Sequence, residues 1–336
     1  MIDARNVYRI VTRKIYDFSP EQQQNLQAIV WLYRGETERY LEMVSQYLGD
    51  VADEALACFD LEDEAGNTAQ PLPEYSEAMK ALGMALMPFL NSLPKSSPLP
   101  HAGAPKAGNP LSGKPDAELT QGPGERVTEV MKELGKEAAL FDQDIEQFHK
   151  SAQKAAKQWE AAPDTNSALL KLTKEYEPLS DASRDLIKQT DLIYKLATRL
   201  IDTCEKECNA KESDAWVSRD ITRARKAADE ARGLAVEQLK QVRYFWKQAH
   251  WLTERFPEAK LRDVEGLVKL VDIKEIAAND WSLTPGRYVG VAPEIEDENF
   301  DFEETLREIH VELEDLNAEA VKLAATIKKN FEELGV

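Results

Sequence analysis

Cysteine is nearly absent from this sequence. Cys58, Cys204 and Cys208 are the only three. So small and odd a number excludes a disulfide framework and fits the reduced thiols of a cytoplasmic protein. No stretch approaches the ~20 consecutive apolar residues of a membrane helix. The opening segment MIDARNVYRIVTRK is charged from its third residue and has no apolar run, so no signal peptide is expected. Glycine is sparse, at 15 of 336 residues, and aromatics make up 8%. With 43% hydrophobic and 31% charged residues, that balance suits long helices packed through narrow apolar seams. Positive charge is the minority sign: 42 Lys and Arg face 61 Asp and Glu, for a net charge of −19. Such a chain repels phosphates as a whole, so DNA contact requires a local basic stripe or a basic partner.

Helix signals are plentiful. Ser19-Pro20-Glu21-Gln22 predicts a helix start with a capping box, and Leu26, Ile29, Val30 and Tyr33 follow at helical spacing. A second helix is expected over 36–59, with Tyr40, Met43, Val44, Tyr47 and Val51 on one face, and a third over 74–90. MIDARN looks like the tail of a strand, with no obvious strand partner later in the chain. Residues 92–124 are rich in Pro, Gly, Ser and Ala. They bury too little apolar surface to offset ordering entropy and are read as a disordered linker.

Beyond it come long seams of alternating four-three spacing. One runs from Val127 through Phe141, Ile145 and Phe148 to Trp159. A second runs from Leu179 through Leu186, Ile193 and Leu196 to Thr203. A third runs from Ile221 through Ala228, Ala235, Gln238, Val242 and Ala249 to Phe256. Two or three helices folded back into an antiparallel arm are expected. Pro257 ends that arm, and 257–300 is read as an extended connector. The tail carries a last seam, Phe302, Leu306, Ile309, Leu313, Leu316, Ala320, Leu323 and Ile327. An exposed aliphatic strip of this kind requires a cover, either this chain's own helical arm or another subunit; in the second reading these residues (Ala320 apart) are the candidate partner-binding set.

Other signals are weaker. Arg219, Arg223, Arg225, Lys226, Arg232, Lys240, Arg243 and Lys247 interleave with Tyr244, Phe245, Trp246 and Trp251, a pattern that nucleic-acid binders share. Here the aromatics fall on or beside a seam, so core rings and a solvated charged face are preferred, with phosphate contact left for a complex. Cys204 and Cys208 lie one turn apart, but the histidines are scattered and no metal site is assigned. No nucleophile–base pattern has supporting context, so no catalytic residue is assigned either.

The segments QVRYFWKQAHWLTERFP and KLRDVEGLVKLVDIKEIAANDWSLTPGRYVGVAPE, with the terminal seam, resemble the C-terminal region of type I restriction–modification modification subunits. Asn279, Asp280, Trp281, Leu283, Pro285, Arg287, Tyr288 and Val289 carry the resemblance, and MIDARN with IVWLYRGE is similar to the stretch after that family's catalytic motif. The resemblance implies adenine-N6 DNA methylation with S-adenosylmethionine, beside a DNA-reading specificity subunit and a restriction subunit. The family's Asn-Pro-Pro-Phe/Tyr segment holds a flipped adenine. The single Asn-Pro here, Asn109-Pro110-Leu111, lacks both the second proline and the aromatic. Gly103 to Gly108 and Gly122-Pro123-Gly124 follow no strand, so no cofactor loop is assigned. Arg287 and Tyr288 are read as pins for the extended segment.

The expected protein is therefore mostly α. Residues 1–91 hold a remnant of an α/β methyltransferase domain plus helices, and 92–124 a linker. A long antiparallel helical arm covers 125–256, a connector 257–300, and a partner-binding helix 301–336. It is expected to be a truncated or split modification subunit, inactive alone and free of cofactor or metal. The alternative is a coiled-coil scaffold with no role in DNA modification.

Overall fold

The computed structural model describes residues 1–12, 15–62, 66–93, 123–160 and 164–291. The chain divides into two compact units, one of Ala4–Arg262 and one of Met1–Asp3 with the residues from Asp263 onward. As expected, the protein is mostly helical.

The larger unit begins with a hairpin of β1 (Arg9–Thr12) and β2 (Ile15–Asp17). Helix α1 (Pro20–Arg34) follows, capped as predicted: Ser19 Oγ accepts from the Gln22 N–H, and the Gln22 side chain accepts from the Ser19 N–H. Gly35, at φ 78°, closes α1 in the left-handed region that glycine adopts without a Cβ penalty. Helix α2 (Thr37–Ala57) then buries Tyr40, Met43, Val44, Tyr47 and Val51, the face read from the sequence. A two-stranded turn of β3 (Leu61–Glu62) and β4 (Thr68–Ala69) leads into α3 (Pro71–Ser92), which starts three residues earlier than predicted, with Pro71 at its first position.

Three longer helices follow: α4 (Pro123–Glu160), α5 (Asn166–Glu207) and α6 (Ser218–Arg255). At ~1.5 Å per residue α5 spans about 63 Å. The seam read from Leu179 starts in mid-helix, because α5 is capped by Thr165 and runs through Pro178. Pro178 offers no N–H to the ladder, yet buried Leu169, Leu172, Tyr176 and Leu179 hold both sides of it in place.

Hydrogen bonds fix the directions. Tyr176 Oη donates to the Ala155 carbonyl at 2.7 Å, and Gln189 binds Asp144, so α4 and α5 are antiparallel. The Trp246 indole N–H donates to the Thr173 carbonyl at 2.9 Å and Arg232 reaches Asp191 at 2.6 Å, so α5 and α6 are antiparallel. Along α6 in reverse, Tyr40 meets the carbonyls of Leu252 and Phe256, Gln238 meets Glu54, and Phe89 packs edge-on to Trp216. Helices α2 and α3 thus lie end to end as one interrupted rod, and the unit is a four-rod bundle. The helices before and after residues 94–122 share one core, in which Leu82, Leu86 and Phe89 pack with Val127, Leu200, Ile201 and Ile221.

Helix α6 is covered on two sides. The predicted seam residues Ala228, Ala235, Gln238, Val242, Ala249 and Leu252 are buried, but so are Val236, Leu239, Arg243, Trp246 and Thr253. The second set recurs with its own three-four spacing and includes the residues bonded to α5. Fully buried Ser180 and Ser183 on α5 leave room for the close approach of α6.

In the smaller unit, Met1–Asp3 finds the partner that the sequence did not reveal. Ile2 bridges Val268 antiparallel, the Asp3 N–H donates to the Leu267 carbonyl at 2.8 Å, and the terminal ammonium donates to the Lys269 carbonyl at 2.8 Å. Leu267, Val268, Tyr288 and Val289 are its buried apolar side chains.

Candidate functional site

The seven residues predicted to bind a partner, Phe302, Leu306, Ile309, Leu313, Leu316, Leu323 and Ile327, lie outside the described residues. The other predicted set, Asn279, Trp281, Leu283, Pro285, Arg287 and Tyr288, follows α7 (Ile273–Ala278) in the smaller unit. Asp272 caps α7 by accepting from the Glu275 N–H at 2.8 Å. At its end the Asp280 N–H donates to the Ala277 carbonyl and the Trp281 N–H to the Ile276 carbonyl. This bond pair is a Schellman closure, which commonly places glycine where Asp280 stands. Here Asp280 (φ 55°) and Trp281 (φ 58°) both take the left-handed conformation without being glycine. Each costs on the order of 1–2 kcal/mol.

That turn presents an indole to solvent, since Trp281 is 67% exposed and Leu283 is 69% exposed. Leu270, Ile273 and Val291 are exposed as well. Asn279 Nδ2 ties back to the Glu275 carbonyl at 2.9 Å, and Pro285 opens a 3-10 turn ending at Arg287. The two expected pins separate. Tyr288 is buried and its hydroxyl donates to the Ser282 carbonyl, whereas the Arg287 side chain is exposed. Gly290 (φ 75°) packs against Glu265, where a Cβ would come within 3.3 Å of that side chain.

In the larger unit the basic run of α6 splits in two. Arg232 is held by Asp191 and Asp229 and lies over the Tyr194 ring, Arg243 is buried beside Asp181 and Ser180, and Lys240 pairs with Glu237. Trp246 is core and Tyr244 donates to Glu21. Over this half the charges are paired with acids, as expected of a charged face beside a seam, but Arg243 is buried where a solvated position was expected, while Lys240 stays exposed. Arg219, Arg223, Arg225 and Lys226 are exposed on the first turns. Burial disfavours the thiolate at both cysteines: it pushes the Cys204 thiol up to about 12 and raises that of the half-buried Cys208. His149 stacks on Phe59 and His250 on Trp246. Among the described residues no cluster of three or more His, Cys, Asp or Glu is arranged to hold a metal ion. Gly124 sits within α4, and Gly103, Gly108 and Asn109 lie outside the described residues.

One carboxylate is strongly perturbed. Burial, followed by the charges of Asp53, Glu54 and Glu21, pushes Asp50 up to about 6. Its unfolded value is ~3.9, so the native state binds the proton more tightly. The resulting stability is fully present below pH ~4 and is lost as pH rises through about 6. Sealed from water, such a carboxyl would carry about 3 kcal/mol; solvent reaches Asp50, so about 1 kcal/mol is expected. Asp50→Asn should raise the urea midpoint at pH 8 and leave it unchanged at pH 4. An equal gain at both pH values would show that the charge is not the cause.

No family model matches the chain. A type I restriction enzyme MjaIX methylase subunit from Methanocaldococcus jannaschii is 42% identical over 78 residues, covering 23% of this chain and 13% of that protein. A type I restriction enzyme HindI methylase subunit from Haemophilus influenzae is 41% identical over 73 residues, covering 22% of this chain and 16% of that protein. The similarity therefore spans a small part of either relative. No solved structure matches.

Proposed function

We propose that this chain acts as a modification-subunit component of a type I restriction–modification system, supplying surfaces that hold the specificity subunit during adenine-N6 methylation of DNA. The observation that carries the reading is an identity above two-fifths to two type I methylase subunits over less than a quarter of this chain. The exposure of Trp281 and Leu283 supports an assembly role, since a bulky aromatic presented by a strained turn is a typical binding anchor. The seam Phe302–Ile327 is the second docking element in this reading. S-adenosylmethionine and the adenine pocket belong to a methyltransferase partner half bearing an Asn-Pro-Pro segment, and the chain alone transfers no methyl group. The restriction subunit joins the same assembly.

Co-expression with the cognate specificity subunit, followed by size-exclusion chromatography, is the direct test. The two chains are expected to co-elute. The double variant Trp281→Ala/Leu283→Ala should weaken the complex roughly 10- to 100-fold, as loss of an aromatic anchor does. Two soluble chains eluting separately would remove the proposal.

A further inference from the structure

Helix α4 covers only part of one face of α2. Glu38, Glu42, Ser45, Gly49 and Ala52 recur along that face at four-three spacing. Gly49 and Ala52 are buried, and Trp159, in the last turn of α4, rests its Nε1 edge on Gly49. Phe59 packs on Phe148, so α4 runs antiparallel to α2 and ends at Glu160 beside Gly49. Toward the start of α2 the same face is left open. There it forms one wall of a surface cleft of about 500 Å³, with Glu38, Leu41, Glu42, Ser45 and Gln46 on one side and Trp159 and Asp164 on the other. Leu41 and Trp159 are half-buried, and Glu38, Glu42 and Asp164 are exposed. Among the described residues these three carboxylates have no ion-pair partner, and no lysine or arginine lines the cleft. Glu38 and Glu42 stand one helical turn apart, where like charges disfavour each other.

We infer that this cleft is a docking site for an arginine side chain of a partner protein segment, with the guanidinium between Trp159 and the carboxylates of Glu38 and Glu42. Charge complementarity selects the occupant, since three unpaired carboxylates attract a cation and repel a phosphate or an acidic segment. The indole wall narrows the choice further. A guanidinium stacks on an aromatic ring, and its planar fork meets carboxylates through paired N–H bonds, whereas an ammonium is a strongly hydrated point charge. The apolar stem of the arginine covers Leu41. The cleft lies within the ~300–1,000 Å³ typical of binding sites. It belongs to the larger unit alone and does not depend on the type I reading, whose docking elements are Trp281, Leu283 and the seam Phe302–Ile327.

The test is fluorescence anisotropy of a labelled glycine–serine peptide carrying arginines, titrated with the full chain at ~0.15 M salt, where exposed charges more than about 8 Å apart are largely screened. Saturable binding is expected. The same peptide with citrulline, which keeps the shape and loses the charge, should not bind, and the lysine peptide should bind several-fold more weakly. Glu38→Gln/Glu42→Gln should weaken arginine-peptide binding roughly 10-fold. Glu129→Gln/Glu133→Gln removes the same charge near the start of α4, far from the cleft, and should leave binding unchanged. All four glutamates are exposed, so both variants should unfold thermally with the wild type. No binding by the wild type would overturn the inference. So would equal binding of the citrulline peptide, or equal losses in the two double variants, which would assign the binding to bulk charge. Equal affinity for arginine and lysine would overturn the placement on Trp159.

Discussion

Gly49→Ala lowers the stability of the larger unit by about 2–4 kcal/mol. Gly49 lies in α2, fully inside the contact with α4, and a Cβ there would fall 1.8 Å from Trp159 Nε1 and 2.5 Å from Cε2. Neither side yields cheaply, since α2 is clamped by buried Tyr47, Leu48, Val51 and Ala52 and the indole is a rigid plate. The ring has to leave its seat and forfeit its contacts with α2. Alanine is the better helix former by about 1 kcal/mol, and that gain is included in the figure. Urea unfolding of Gly49→Ala, Trp159→Ala and the double variant measures it. If the indole is the obstacle, alanine at position 49 becomes neutral or stabilising once Trp159 is gone. Equal losses in both backgrounds would rule that account out.

Tyr75→Ala is expected to cost about 3–5 kcal/mol, and Tyr75→Phe about 1 kcal/mol. Tyr75 of α3 has no solvent-exposed surface. Its ring meets Phe141 of α4 edge to face at 5.6 Å, and its hydroxyl donates to the Thr190 carbonyl of α5 at 2.7 Å. One side chain therefore ties a helix before residues 94–122 to two helices after them. Removal of the ring opens a cavity in the shared core, whereas removal of the hydroxyl deletes one bond to a carbonyl that also serves the helix ladder. Unfolding monitored by the fluorescence of Trp216 and Trp246 should remain a single transition, because α3 shares a core with α4, α5 and α6. Two separated transitions, with only one moved by the variant, would mean that the pieces on either side of 94–122 are independent.

Much of the helical detail was legible in the residues. The Ser19–Gln22 box marked the start of α1 to the residue, and the buried face of α2 was read correctly from Tyr40 to Val51. Most of the third seam, from Ile221 to Phe256, is buried along α6. The second face of α6 was not read, although Val236, Leu239, Arg243 and Trp246 recur at helical spacing. Arginine and tryptophan in such a row resemble a solvated stripe until Asp181 and the Thr173 carbonyl arrive from α5. Pro178 hid the first third of α5, because proline is an ordinary stop signal and only packing on both sides overrides it. For the candidate sites, the order from Asn279 to Tyr288 was visible, but the solvent exposure of Trp281 and the burial of Tyr288 were not. The β1–β2 hairpin escaped notice, since strand pairing of Arg9–Thr12 with Ile15–Asp17 has no periodic signal over so few residues.

By itself the sequence determined where most of the helices lie, where α1 begins, and which residues face inward on one side of α2 and along most of α4, α5 and α6; on α1 it picked Tyr33, which is exposed, and missed Ala28 and Leu32, which are buried. These are local matters: capping, spacing and side-chain polarity act within a turn or two of chain. Tertiary structure alone decided that α2 and α3 complete the bundle as one broken rod, that α6 is covered twice, that Trp159 rests on Gly49, and that Ile2 pairs with Val268. It also sorted the arginines of α6 into those held by acids of other helices and those left in water. Periodicity states that a face must be covered; which distant segment covers it depends on contacts between residues far apart in the chain.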